Sequence, residues 1–260
     1  MATNYINMGK SGSYTTGKVR PWIISINGNI GSGKSTLMDK LSYVTEENEK
    51  KIFDLIPEPV EAWKPWLKLF YENPQRYAYS FQSVVLLHQM IQYEFINDSQ
   101  RMLSPVVLFE RDPLVSKHIF AETLVEDGSI HPMEMEIYNE MYRRRFHWIP
   151  DYTVYIRTPP EICAERIAKR ARSSESSIPI DYLKRLHAKH EELFIENRDR
   201  YEGRVIIIDG SPDPDIVAEN LWAELQGVFP RFPAWEKLNW GNESASHPVV
   251  RAVPGIKNDA

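Results

Sequence analysis

The chain has 260 residues, of which 42% are hydrophobic and 26% charged, with a formal net charge of -5 and one cysteine. That length suits one large domain or two small ones and is enough to bury a full core. The mildly acidic balance argues against a general nucleic-acid binder, the single Cys163 excludes an internal disulfide, and no apolar run reaches the ~20 residues a membrane-spanning helix needs.

Residues 1–20 carry no acid and are rich in Ser and Thr, but Arg20 is their only arginine and no apolar face repeats at helical spacing. Met1–Lys18 is expected to be a disordered arm, with a cleavable targeting segment as the alternative. Trp22-Ile23-Ile24-Ser25-Ile26 reads as a buried strand that runs into a Gly-rich loop, and a helix starts near Lys34. Ile52–Ile56 is a second strand, closed by Pro57 and Pro59. Pro65–Asn73 and Pro74–Asp98 read as helices. In the second, Tyr77, Phe81, Val84, Val85, His88 and Ile91 recur at spacings of three and four.

Val106–Phe109 is a third strand and ends at Glu110-Arg111-Asp112. Pro113–Glu126 and Pro132–Phe146 read as helices with Pro near each start, separated at Asp127-Gly128. Tyr152–Ile156 is a fourth strand, followed by helices over Pro160–Ala171 and Pro179–Arg200. Val205–Ile208 is a fifth strand and Pro214–Gly227 a last helix. Strands that alternate with helices imply an α/β fold, a parallel sheet with helices on both faces. The tail from Val228 to Ala260 carries four prolines and a cluster of aromatics, and regular structure is not expected there. The aromatics suit docking on the body or on a partner; a plain flexible tail is the other reading.

Gly28-Asn29-Ile30-Gly31-Ser32-Gly33-Lys34-Ser35-Thr36 matches G-x-x-x-x-G-K-[ST] between a strand and a helix. Glycines let the backbone close around a phosphate, so that successive N–H groups and the helix N-terminus face the anion. Lys34 can reach the β- and γ-phosphates of ATP, and the Ser35 hydroxyl can ligate Mg²⁺. Ligands in parallel sheets bind beyond the carboxyl ends of the strands. Glu58, after the second strand, and Glu110-Arg111, at the end of the third, therefore belong beside this loop. Glu58 can take a proton from an attacking hydroxyl. Glu110 can hold Mg²⁺ through water, and Arg111 can hold a phosphate or substrate oxygen. Arg166 and Arg170 share a helix face and, with Arg172, lead into Ser173-Ser174-Glu175-Ser176-Ser177. Arginines on a helix that runs into a mobile loop suit a lid over a transferring phosphoryl group. A solvated basic face is the plainer reading.

Together these motifs resemble the deoxynucleoside kinases, the family of deoxycytidine kinase, deoxyguanosine kinase, mitochondrial thymidine kinase and the insect multisubstrate enzyme. The similarity runs from Pro21 to Gly227. Besides Gly28–Thr36, it rests on Glu58-Pro59-Val60 with Trp63, Tyr71-Glu72-Asn73-Pro74, Ser80-Phe81-Gln82, Glu110-Arg111 and Thr158–Glu175. Ile178–Leu183, Leu186-His187 and His190-Glu191 complete it. The resemblance implies a P-loop kinase fold, with a five-stranded parallel sheet and a short arginine-bearing lid. It implies a kinase domain over 19–227, flanked by the arm 1–18 and the tail 228–260.

The resemblance also implies roles. Glu58 is the expected general base, Arg111 its neighbour at the 5′ position, and Tyr71 with Glu175 the pair on the sugar 3′-hydroxyl. Gln82 reads the base edge, since an amide offers both donor and acceptor. Phe120, Trp63 and Phe81 wall the base, and Arg166, Arg170 and Arg172 are lid arginines. The loop Asp209–Asp215, with Asp209 and Asp213, meets the adenine of ATP. Where the family has serine after Glu-Arg, this chain has Asp112. Where its cytidine and purine kinases carry an arginine and an aspartate, this chain has Gln89 and Ser116, with Val85 nearby. That implies pyrimidine acceptance, thymidine included, with broad tolerance. Partners are a deoxynucleoside, ATP and a second copy in a homodimer, without nucleic acid or membrane. The cytoplasm is the expected compartment, the mitochondrion the alternative. A nucleoside monophosphate kinase and a non-catalytic kinase-like subunit are the competing functions.

Overall fold

The computed structural model describes residues 21–42, 44–45, 51–97, 104–146, 150–170, 178–198, 204–229 and 239–240. At its centre is β1 (Trp22–Gly28), in which every residue after Trp22 is buried. A continuous apolar run of this kind belongs inside a parallel sheet, covered on both faces. It is flanked by β4 (Val106–Glu110) and β5 (Tyr152–Arg157), with β3 (Phe53–Ile56) and β6 (Val205–Asp209) outside them. The order is β3-β4-β1-β5-β6, and each pairing is parallel.

Side chains alternate along a strand, so β1 feeds two cores. Ile24 and Ile26 pack with Leu37, Met38 and Leu41 of α1 (Lys34–Ser42) and with Leu221, Trp222 and Leu225 of α9 (Pro214–Val228). Ile23 joins Val107, Phe109, Phe95 and Ile96 on the opposite face, under α3 (Pro74–Asn97). Fully buried side chains of this size each contribute about 1.5–3 kcal/mol. After β1 the chain builds β3 and β4 on one side and returns later for β5 and β6 on the other. The carboxyl end of β1 is therefore a topological switch point, where a crevice opens between diverging connections.

Several expected elements differ from those observed. The helix α2 spans Val60–Glu72, so it starts before Pro65 rather than at it. Only the one N–H that Pro65 lacks is lost, and the helix buries Trp63 and Phe70 in exchange. Pro113–Glu126 is not uniformly α-helical: Ser116–Ala121 is a π-helical turn between α4 (Pro113–Val115) and α5 (Glu122–Glu126). The expected long helix from Pro179 is α8 (Ile180–Glu191) followed by a π-helical turn, Glu192–Glu196. Apolar spacing does not separate α from π windings. The tail also carries unexpected regular structure. β7 (Asn239–Trp240) pairs antiparallel with β2 (Val44–Thr45). Before that, Phe229 is buried against Trp22 and Tyr152, with centroids 4.8 and 5.3 Å away. Two-residue ladders have no period to read, and long-range pairing alone creates them. α6 (Pro132–Arg145) and α7 (Pro160–Arg170) follow the expected bounds closely. The arm Met1–Lys18 lies outside the described residues.

Candidate active site

The loop after β1 winds through Gly28, Gly31 and Gly33 at φ 151°, 77° and 105°. A side chain at Gly31 would meet the Cys163 carbonyl oxygen at 2.7 Å, because α7 lies directly on the loop. Lys34 is buried and donates to the carbonyls of Gly28 (3.1 Å) and Asn29 (2.9 Å). Burial first, then the Arg111 cation, lowers its pKa. Asn29 turns away from the phosphate space: Nδ2 donates to Leu183 O at 2.8 Å, and Oδ1 accepts the Ile30 N–H. The Ser32 carbonyl accepts the Thr158 hydroxyl at 3.0 Å. Ile30, Gly31, Gly33, Lys34, Ser35 and Thr36 all border one cleft of about 410 Å³, a volume suited to small ligands.

Three carboxyl ends converge there. The Ser35 hydroxyl donates to Glu110 Oε1 at 2.9 Å, and Glu110 Oε2 accepts the Glu58 backbone N–H at 3.3 Å. The Arg111 guanidinium pairs with both oxygens of the Glu58 carboxylate and lies 4.0 Å from the centroid of the Phe120 ring. Arg111 has φ 62°, the one positive value among the described non-glycine residues. That conformation costs roughly 1–2 kcal/mol, and it is held by the Arg111 N–H on Ile26 O at 2.9 Å. Asp112 is buried, and its Oδ1 caps α4 by accepting the Leu114 N–H at 2.8 Å. Burial pushes its carboxyl up to about 6, against the opposing hydrogen bonds of Leu114 and Ser25 and the charge of His118.

The other end of the cleft is aromatic. Phe70 stacks on Phe81 at 5.3 Å and 22°, and Trp63 meets Phe81 edge-on at 6.4 Å. Phe120 reaches the cleft from the π-helical turn. Tyr71 and Gln82 line it too, and the Gln82 Oε1 is buried without a hydrogen-bond partner. Val85, Gln89 and Ser116 are buried behind this wall. Gln89 Nε2 donates to Ser116 Oγ at 2.7 Å and to Arg111 O at 3.3 Å. Val60 and Pro214 also line it, as do Leu67, Phe70 and Tyr182, which sequence reasoning did not single out. Phe70 adjoins Tyr71, and Tyr182 lies within the Ile178–Leu183 motif, so both sat beside a readable signal. Burial pushes the Tyr182 phenol up to about 12.

Arg166 and Arg170 on α7 border the cleft, whereas Arg172 and Glu175 lie outside the described residues. Arg166 donates to four carbonyls of the phosphate loop and the β6–α9 loop. In that second loop, Asp209 accepts the Ser211 N–H at 2.9 Å. Hydrogen bonds from Ser211, then the Arg157 and Arg166 charges, hold its carboxyl below the usual range. Asp213 caps α9 by accepting the Asp215 N–H. Neither aspartate borders the cleft.

A phosphate loop at the switch point of this sheet, facing a carboxylate–arginine pair and an aromatic pocket, defines a P-loop phosphotransferase with a small planar acceptor. The deoxynucleoside kinase family model matches residues 24–225. The chain is 34% identical over 202 residues to a probable deoxycytidine kinase of fowlpox virus (strain NVSL), which covers 76% of this chain and 81% of that protein. It is 32% identical over 206 residues to deoxycytidine kinase 2 of Gallus gallus (69% and 76%). It is 37% identical over 170 residues to a putative kinase protein of invertebrate iridescent virus 3 (65% and 81%). The chain belongs to the deoxynucleoside kinase family. It is a deoxynucleoside kinase, with ATP as the phosphate donor that the family implies.

Proposed function

We propose that this enzyme phosphorylates pyrimidine deoxynucleosides, thymidine as well as deoxycytidine, at the 5′-hydroxyl. The observation that carries this reading is the buried Gln89–Ser116 hydrogen bond of 2.7 Å. It puts a neutral pair where the family's cytidine and purine kinases carry opposite charges. A neutral wall does not demand a particular exocyclic group, and the Gln82 amide supplies one donor and one acceptor to the base edge. The base lies between Phe120 and the Trp63–Phe81 side, and Tyr71 with Glu175 holds the sugar.

Glu58 accepts the proton as the 5′-oxygen attacks the γ-phosphorus, and Arg111 orients its carboxylate. Lys34 releases its loop carbonyls to meet the β- and γ-phosphates, and Arg170 and Arg172 close over the transferring group. Asp209–Asp215 flanks the adenine. The oxygens of Ser35 and Glu110, 2.9 Å apart, suit a hard cation. Among the described residues no group of three or more His, Cys, Asp or Glu is placed to hold a metal ion. Mg²⁺ would be held by Ser35 and Glu110 and would supply positive charge against the phosphates. α3 and α6 pack together and expose Leu87, Met133 and Ile137, which suits a homodimer through these helices. Among the described residues no helix is long and apolar enough to cross a membrane. A cytoplasmic kinase domain over 19–227, with the arm 1–18 and tail 228–260 as appendages, is the companion reading.

The test is monophosphate formation from Mg-ATP with thymidine, deoxycytidine, deoxyadenosine and deoxyguanosine in parallel. Turnover of both pyrimidines is expected. Turnover of purines alone would remove the neutral-pocket reading and leave the kinase.

A further inference from the structure

We propose that Arg166 is a positioning residue that locks the phosphate loop to the β6–α9 loop and thereby shapes the donor side of the cleft. A guanidinium has five N–H donors in a planar fork. Nη1 donates to Ser32 O (3.2 Å) and Gly210 O (2.8 Å), and Nη2 donates to Ser211 O (3.2 Å) and Pro212 O (3.3 Å). Both terminal nitrogens are therefore engaged by backbone carbonyls. Nε is the one guanidinium nitrogen that these carbonyls do not engage. Arg170, one turn further along α7, borders the same cleft. Two arginines on one helix face thus divide the work: Arg166 builds the donor site, and Arg170 faces the transfer.

The surroundings make this junction rigid. Ser32 O also accepts the Thr158 hydroxyl at 3.0 Å, and the Gly210 N–H donates to Arg157 O at 2.9 Å. A side chain at Gly210 would collide with the Thr158 hydroxyl and with Ile156, and would come within 3.1 Å of Ser32 O. The ends of β5 and β6 are thus packed onto the phosphate loop with no spare room. A lysine is a point charge with three donors and cannot span four carbonyls in a plane.

The experiment compares Arg166→Lys, Arg166→Met and Gly210→Ala with the wild-type full chain. Calorimetry gives the Kd of a non-hydrolysable ATP analogue without nucleoside, so the result does not depend on which base is accepted. Kinetics then gives KM for ATP and for the accepted nucleoside, kcat, and the preference for ATP over GTP and UTP as donors. A positioning role predicts that the analogue Kd and the KM for ATP rise about tenfold or more in Arg166→Met, less in Arg166→Lys. Nucleoside KM changes little, kcat falls at most severalfold, and the donor preference narrows. Gly210→Ala, which breaks the junction from its other side, reproduces this pattern and carries the test if Arg166→Met does not fold. A loss of about 100-fold or more in kcat with unchanged affinity for ATP would assign Arg166 to the transition state and overturn the proposal. Unchanged constants in all three variants would overturn it equally.

Discussion

Arg111 carries three jobs in one residue. Its left-handed backbone turns the chain from β4 into α4, its guanidinium pairs with Glu58, and its planar face covers Phe120. A general base must point at the hydroxyl it deprotonates, and in the proposed reaction the pair with Arg111 would hold the Glu58 carboxylate for that proton transfer. Glu58→Gln keeps the shape and removes the basic oxygen. It should lower kcat about 100-fold or more with nucleoside KM little changed, as steady-state kinetics would reveal. A nearly unchanged kcat would take Glu58 out of that role. The adjacent Asp112 is a buried carboxyl whose folded pKa is pushed up to about 6 from an ordinary 3.8. The folded state therefore holds the proton more tightly than the unfolded chain. Its contribution is fully present below about pH 3.8 and is lost as the pH rises through about 6. Asp112→Asn keeps the cap and removes this titration. At pH 7.5 the variant should be more stable than wild type by up to about 2–3 kcal/mol, with near parity at pH 4, as measured by urea unfolding.

At the scale of the element, α2 and the π-helical turn Ser116–Ala121 contribute to the pocket walls. α2 brings Trp63 and Phe70 inward in spite of Pro65, which is solvent-exposed within it. An interior proline forfeits one helix hydrogen bond and crowds the preceding turn, offset in part by a stiffer unfolded chain. Pro65→Ala should stabilise the fold by about 1–2 kcal/mol, seen as a rise of a few degrees in Tm. A fall in Tm would mean that α2 needs the proline to set its entry angle. The turn Ser116–Ala121 carries both Ser116 and Phe120, so one winding places the hydrogen-bond partner of Gln89 and a ring that borders the cleft together. Single-turn π windings recur at functional sites for this reason.

For the whole molecule, the sheet order makes the site, and the exposed face of two packed helices is where the proposed dimer would form. Leu87, Met133 and Ile137 are 54%, 61% and 55% exposed on two helices that touch each other. Met133 and Ile137 are four apart and share a face. The wild type is expected to sediment as a dimer, and Ile137→Asp as a monomer. A monomeric wild type at micromolar concentration would sink the dimer.

The phosphate loop, the alternation of strand and helix, and the residues Glu58, Glu110 and Arg111 were legible in the chain itself. Each rests on local chemistry: a glycine pattern, an apolar run, or a charge placed at a strand end. Tertiary structure decided the rest. The Gln89–Ser116 bond joins residues 27 positions apart across two helices, and no periodicity records it. Phe70 and Tyr182 enter the cleft only because α2 and α8 converge on it. Asn29, inside the loop motif, is drawn off to Leu183, and Arg166, read in the sequence as a lid arginine, is taken up by four backbone carbonyls from two loops. A sequence specifies which groups are present and on which face of an element they stand. Which partner satisfies a buried donor depends on what the fold brings within hydrogen-bond reach, and that is a property of the packed molecule.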